Sequence, residues 1–142
     1  MIESQMIARQ LLAIILPLTR AIAAELRQTD PSLNSAHLGV LAMLVERPCN
    51  LSELADYQGV SLPTMSGSIS RLEARGWVQR ERSTDDRRIV IIQLTPLGEQ
   101  KLAEMHEQVE AYIGRLLEST SPTERETLAE GLNVLQNLFK II

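Results

Sequence analysis

Cysteine and aromatic residues are scarce in this chain of 142 residues, which holds one Cys, one Phe, one Trp and two Tyr. A single cysteine excludes a disulfide framework within the chain. Four aromatic side chains argue against the stacking platforms on which proteins bind single-stranded nucleic acid. The length is that of one ordinary globular domain, which can bury enough surface to fold without disulfide bonds.

Long apolar runs are lacking as well. The run at 11–16 ends at Pro17, far short of the roughly 18 apolar residues that a membrane-spanning helix needs. Glu3 stands where the basic segment of a signal peptide would be. We therefore expect a soluble, cytoplasmic protein with no membrane partner.

The net charge of −4 argues at first against nucleic acid as a partner, but the charges are unevenly spread. Residues 99–142 carry eight acidic and four basic side chains, whereas residues 61–90 carry six Arg and four acids. A local basic patch can bind phosphate while a distant acidic surface keeps the protein soluble. Charge alone therefore does not decide whether the partner is nucleic acid, and the motifs within 61–90 must decide it.

Apolar spacing predicts six helices. The first is long, is kinked by Pro17 and ends at Asp30. Ser35 is the predicted N-cap of the second helix, and Asn50 with Glu53 is spaced as the capping box of the third.

Gly59 ends the third helix, and Pro63 lies in the first turn of the fourth, where a missing N–H costs nothing. Met65, Ile69 and Leu72 form the inward face of this fourth helix, which ends at Gly76. Its other face carries small or hydrogen-bonding residues, which suit close approach to base edges and phosphates: Thr64, Ser66, Gly67, Ser68 and Arg71.

After Trp77 the pattern changes to strands. Residues 78–82 alternate, residues 89–92 are β-branched, and the turn at 83–88 is polar. Two long amphipathic helices follow, starting at Thr95-Pro96 and Ser121-Pro122. The fold class is mainly α with a small β-hairpin wing (α+β): a winged helix-turn-helix flanked by long N- and C-terminal helices.

Four stretches in this order resemble the MarR family of bacterial transcription regulators. They are 51–55 (LSELA), 71–78 (RLEARGWV), 85–88 (DDRR) and 94–98 (LTPLG). The resemblance implies a homodimer that binds a pseudo-palindromic operator in double-stranded DNA, with a small aromatic or amphipathic ligand releasing a repressor. It implies dimerisation helices at 1–34 and 99–142 around a DNA-binding region at 35–98, no enzymatic activity and no cofactor.

The resemblance also assigns roles to single residues. Arg88 would enter the minor groove, oriented by Asp86, although Asp86 can alternatively serve only to cap the turn. The other residues that it places at DNA, through the fourth helix and the wing, are Ser61, Pro63, Thr64, Ser66, Gly67, Ser68, Arg71, Arg75, Arg82 and Arg87. Gly67 departs from the long polar residue common in the family, so it either permits close approach to DNA or removes a base contact.

Three residues allow other interpretations. Cys49 is interpreted first as a small, partly buried apolar side chain. Because it precedes a helix start, where a thiolate can be stabilised, an oxidant-sensing regulator of the same fold is one alternative. His37 is predicted near a ligand cleft, either as a structural histidine, which is the favoured interpretation, or as a ligand contact. His37 and His106 are too isolated to indicate a metal site. No catalytic constellation is visible in the sequence. A helical interaction protein that binds no DNA is the remaining alternative, although it leaves the arginine-tipped hairpin unexplained.

Overall fold

The computed structural model describes residues 1–139 as a mainly helical fold with one small antiparallel sheet, which confirms the predicted fold class. The elements in chain order are α1 (Ser4–Thr29), α2 (Ser35–Glu46), β1 (Cys49–Asn50), α3 (Leu51–Gln58), α4 (Leu62–Ala74), β2 (Val78–Arg82), β3 (Val90–Leu94), α5 (Pro96–Leu117) and α6 (Pro122–Phe139). These residues form two compact units, Met1–Val109 and the part from Glu110 onward.

Local signals set most of the helix bounds as predicted. Asn50 and Glu53 form the full capping box of α3, and Gly59 ends that helix in the left-handed region at φ 67°. The N-cap of α2 is an exception, because Asn34 and not Ser35 occupies it. The extended backbone of Asn34 lets its side chain accept a hydrogen bond from the backbone N–H of His37 at 3.0 Å.

The predicted hairpin is present, and it carries a third strand that the sequence did not reveal. The strand order is β1-β3-β2, and β1 pairs Cys49 with Ile92. With only two residues, β1 is too short to show an alternating pattern. It attaches the start of α3 to the wing, which we define as residues 78–94.

The hydrophobic core lies in the first unit and fixes the position of α4. Met65, Ile69 and Leu72 are buried on the inward face of α4, as predicted. They share the core with Leu54 of α3 and Ile92 of β3, both almost fully buried. The opposite face of α4 is thereby left toward solvent.

The 94–98 motif joins α5 to the start of the wing. The Thr95 hydroxyl donates to the Gly76 carbonyl at 2.5 Å and accepts from the Gly98 N–H at 3.0 Å. The Thr95 N–H donates to the Trp77 carbonyl at 3.0 Å. A Cβ on Gly98 would lie 2.9 Å from the Trp77 carbonyl carbon. Glycine is therefore required where α5 approaches the Trp77 backbone.

The first helix corrects one argument from the sequence. Within the described chain, α1 is long and apolar enough to span a membrane by length and composition, with a mean hydropathy of 1.5 over 18 residues. A spanning helix does not need a continuous apolar run, because scattered polar residues still leave the 18-residue average hydropathy high. Several large apolar residues of α1 are exposed, among them Ile7, Leu12, Ile14, Ile15 and Leu18.

The second unit contains the end of α5 and all of α6. Ser121 and Glu124 form the predicted capping box: the Ser121 hydroxyl accepts from the Glu124 N–H and the Glu124 carboxylate from the Ser121 N–H. Within the part of the chain that the structure describes, α6 has no buried residue. Ile141 and Ile142, which the sequence interpretation assigns to a dimer interface, lie outside the described residues.

Candidate nucleic-acid interface

The start of α4 presents polar groups to solvent. Ser61 is the N-cap: its hydroxyl accepts from the Thr64 N–H at 3.3 Å and donates to the Thr64 hydroxyl at 2.9 Å. Ser61, Pro63 and Thr64 are all exposed. The N-terminal end of a helix carries a partial positive charge and unpaired N–H groups, which favour phosphate binding.

Further along the same face, α4 is open. Gly67 and Arg71 are exposed, while Ser66 and Ser68 are half-buried. A Cβ placed on Gly67 would meet nothing within 4 Å. The fold itself therefore does not require this glycine, which costs about 1 kcal/mol relative to alanine in a helix.

The tip of the wing holds a preformed arginine–aspartate pair. Arg88 donates from Nε to Asp86 Oδ1 and from Nη2 to Asp86 Oδ2, both at 3.1 Å, and its backbone N–H donates to Oδ1 at 3.0 Å. These bonds lower the pKa of the Asp86 carboxyl, the Arg88 side chain contributing most. Because the Arg88 side chain is 91% exposed, the pair directs a charged group away from the protein.

Two further residues shape the tip. Arg82 donates from Nη1 to the Arg87 carbonyl at 3.0 Å, across the base of the turn. The Ser83 hydroxyl accepts from the backbone N–H of Asp85 and of Asp86. These bonds give the polar turn a fixed conformation although it contains no apolar side chain.

Arg75, which the family resemblance places at DNA, makes its contacts within the protein. It donates to Asp30 Oδ2 at 2.5 Å and to the Ser32 hydroxyl, and its guanidinium lies 4.9 Å above the Trp77 ring. The contact links the end of α1 to the end of α4. A guanidinium that is bonded to a carboxylate has fewer donors left for phosphate. The role of Arg75 at DNA stays a prediction.

The Asp30–Arg75 pair makes stability depend on pH. The Arg75 side chain, followed by Ser32, holds the pKa of Asp30 well below its ordinary value of 3.8. A depressed carboxyl pKa stabilises the fold above the unfolded-state value, and this contribution is lost as the pH falls toward the folded-state value.

We expect Asp30→Asn to lower the free energy of unfolding at neutral pH by about 0.5–1 kcal/mol, because the bridge is partly exposed. The difference from the wild type should shrink steadily below about pH 4. Urea denaturation of both proteins at several pH values measures it. A difference that is unchanged at acidic pH would show that Asp30 acts through packing and not through its charge.

Arg80 is a residue that the sequence interpretation missed. Its Nη2 donates to the Ser70 hydroxyl at 2.9 Å and to the Ser66 carbonyl at 3.3 Å, and its Nε lies 3.6 Å from a Glu73 carboxylate oxygen. Arg80 therefore contacts three places along α4 from strand β2. The alternation in 78–82 places Arg80 on the same side of the strand as buried Val78. This placement was the signal in the sequence that could have identified Arg80.

Cys49 has the surroundings of a structural thiol. It is fully buried and donates weakly to the Arg47 carbonyl at 3.5 Å. Burial raises the pKa of the thiol, and the nearby Arg47 opposes this only in part. A raised pKa reduces the thiolate that peroxide attacks.

We therefore expect Cys49→Ser to leave duplex affinity, and any response of that affinity to peroxide, unchanged. A serine hydroxyl can donate to the same carbonyl. Anisotropy titrations with and without peroxide measure both quantities. If the wild type responds to peroxide and the variant does not, Cys49 is a redox sensor.

A cavity of about 350 Å³ lies behind α4, near the Asp30–Arg75 contact. His37 is 6% exposed, and its Nδ1 has no hydrogen-bond partner within residues 1–139. Burial, then the charges of Arg75 and Arg71, lower the pKa of His37 and so favour the neutral ring. The residues around the cavity are Ser32, Leu33, His37, Arg71, Leu72, Ala74, Arg75 and Trp77.

The described residues hold no group of three or more His, Cys, Asp or Glu able to bind a metal ion.

Comparison with known proteins identifies a family of regulators. A model described as the MarR family matches residues 32–89. The HTH-type transcriptional regulator FarR of Neisseria gonorrhoeae is 30% identical over 104 residues, which cover 69% of this chain and 71% of FarR.

The chain belongs to the MarR family. An HTH-type transcriptional regulator of Bacillus subtilis, YfiV, is 36% identical over 90 residues, which are 63% of this chain but only 56% of YfiV. The transcriptional repressor CouR, solved on a 23-mer DNA duplex, is 28% identical with a TM-score of 0.71, over 93% of both chains. These relatives are transcriptional regulators and not enzymes, which confirms that prediction.

Proposed function

We propose that the protein is a homodimeric, sequence-specific DNA-binding transcription regulator acting in the cytoplasm. The observation that carries the proposal is the Asp86–Arg88 pair at the exposed wing tip, together with the open polar face of α4. In a winged helix-turn-helix, such a helix enters the major groove, and a basic arm reads the adjacent minor groove. CouR, of similar fold, is solved on a DNA duplex, which supports the same partner for this chain.

The dimer would be built from residues 1–34 and 99–142, around a DNA-binding region at 35–98. Exposed apolar residues on α1 and α6 support this division. On α6 they are Leu128, Leu132, Val134, Leu138 and Phe139. A two-fold interface buries the same surface of both copies and presents two copies of α4 to half-sites about one helical turn apart.

The test is a titration of a fluorescein-labelled duplex, followed by anisotropy at several salt concentrations, with the mass measured by light scattering. The duplex is recovered from a random pool by selection on the wild-type protein. We expect a dimer mass and an affinity that falls steeply with salt, because arginines that neutralise phosphates release counterions. A folded monomer overturns the dimer, and the absence of salt-dependent binding favours a protein-interaction module.

We further propose that the protein is a repressor released by a small aromatic or amphipathic ligand in the cavity beside His37. The unpartnered Nδ1 offers a ligand one hydrogen-bonding atom, and Leu33, Leu72 and Trp77 offer apolar walls. A ligand can shift DNA binding only if it favours a DNA-incompetent conformation. Calorimetry with phenolic acids, followed by duplex titration with each binder, tests this; binders that leave duplex affinity unchanged exclude it.

A further inference from the structure

Arg80 connects two structures that the proposed function requires to act together. Its strand, β2, follows α4 after the short stretch 75–77, and Arg80 pairs there with Ile92 of β3. Its guanidinium reaches back to α4, whose Ser66, Ser70 and Glu73 lie at intervals of four and three residues and so share one helix face. A single side chain thus joins the wing to three successive points of α4.

The other wing arginines make different contacts. Arg82 donates to a carbonyl within the wing, and Arg88 pairs with Asp86 at its tip. The Arg80 side chain is only 30% exposed, and a single nitrogen, Nη2, donates to both the Ser66 carbonyl and the Ser70 hydroxyl. Arg80 therefore bonds the wing to α4 within the protein.

We propose that Arg80 is a positioning residue that holds the wing at a fixed distance and angle from α4, so that Arg88 and the start of α4 meet adjacent grooves together. The inference rests on the proposed DNA binding. Ordering a loose wing on DNA would cost conformational entropy, which preorganisation avoids. Arg80 would then raise affinity and sharpen selectivity without touching the duplex.

The experiment compares Arg80→Met, Arg80→Lys and the control Gln79→Met, using the selected duplex. Gln79 is the exposed neighbour on the opposite side of β2. We expect Arg80→Met to weaken binding about tenfold, and Arg80→Lys nearly as much, because an ammonium keeps the charge but ends one bond short of Nη2, which makes both hydrogen bonds to α4. Gln79→Met should bind like the wild type. Full recovery by lysine would make Arg80 a phosphate contact and overturn the proposal.

A double-mutant cycle with Arg88→Ala separates positioning from simple stability. If Arg80 places the wing, Arg88→Ala should cost several-fold less affinity in the Arg80→Met background than in the wild type. Equal costs in both backgrounds would show that Arg80 only stabilises the fold. Circular dichroism at the titration temperature confirms that each variant is folded.

Ser70→Ala covers the case in which Arg80→Met does not fold. It removes the 2.9 Å bond from an exposed helix position, and we expect about a threefold loss of affinity with a reduced effect of Arg88→Ala. Unchanged affinity and an unchanged Arg88 effect would overturn the proposal. A wild-type protein that binds no duplex would instead refute the proposed function.

Discussion

Replacing Arg88 with alanine is expected to weaken binding of the selected duplex by about 1–3 kcal/mol per half-site, the scale of one good groove contact. The guanidinium extends into solvent with Asp86 as its partner. Part of the loss should depend on sequence, because a narrow A·T-rich minor groove attracts arginine most strongly. Anisotropy titrations on duplexes that differ only at the predicted wing positions measure it.

The fold should not change in this variant. An exposed substitution without packing contacts typically shifts stability by less than about 0.5 kcal/mol. Lys101→Ala is a suitable control: it removes one cation from α5, paired with Glu104 and outside residues 78–94, and should bind like the wild type. Equal affinity of Arg88→Ala and the wild type for the selected duplex would show that the wing does not contribute to DNA binding.

Asp86→Asn distinguishes orientation of Arg88 from charge alone. Removing a negative charge near DNA should strengthen binding if only the net charge matters. If Asp86 instead holds the guanidinium in its binding position, the variant should bind more weakly in spite of the added positive charge. Weaker binding would also exclude the simpler role of Asp86 as a turn cap, provided that the thermal stability is unchanged.

Local signals in the sequence predict the parts of this structure that are local in the chain. The Asn50–Glu53 capping box and the Asp86–Arg88 pair join residues two or three positions apart. Their geometry follows from side-chain chemistry and turn conformation alone. The one-residue error at the cap of α2 has the same origin, because Asn34 and Ser35 are equally good caps and only the backbone conformation decides between them.

Contacts between distant residues were beyond such signals. Asp30 and Arg75 are 45 positions apart, and Arg80 and Ser66 are 14 apart. An exposed arginine and an internally bonded arginine look alike in a sequence, because the difference arises from how α1, α4 and β2 pack. The sequence therefore identifies the basic surface, while the fold decides which arginines are free to meet DNA.

Gly98→Ala is expected to destabilise the protein by about 2–3 kcal/mol, although alanine is the better helix former. A Cβ at this position would lie 2.7 Å from Leu94 Cδ1 and closer than contact distance to the Trp77 carbonyl group. That carbonyl cannot move aside freely, because it accepts from the Thr95 N–H, and the Trp77 N–H donates to the Leu72 carbonyl. Overpacking against a fixed backbone costs about 1–3 kcal/mol and sometimes more.

The same substitution at Gly67 provides a matched control with the opposite sign. Gly67 also lies within a helix, but its added methyl group meets open space, so Gly67→Ala should raise stability by up to about 1 kcal/mol. Urea denaturation midpoints of the two variants and the wild type measure both changes. If Gly98→Ala is as stable as Gly67→Ala, the close approach of α5 to Trp77 is not a constraint on the fold, and the 94–98 motif has another role.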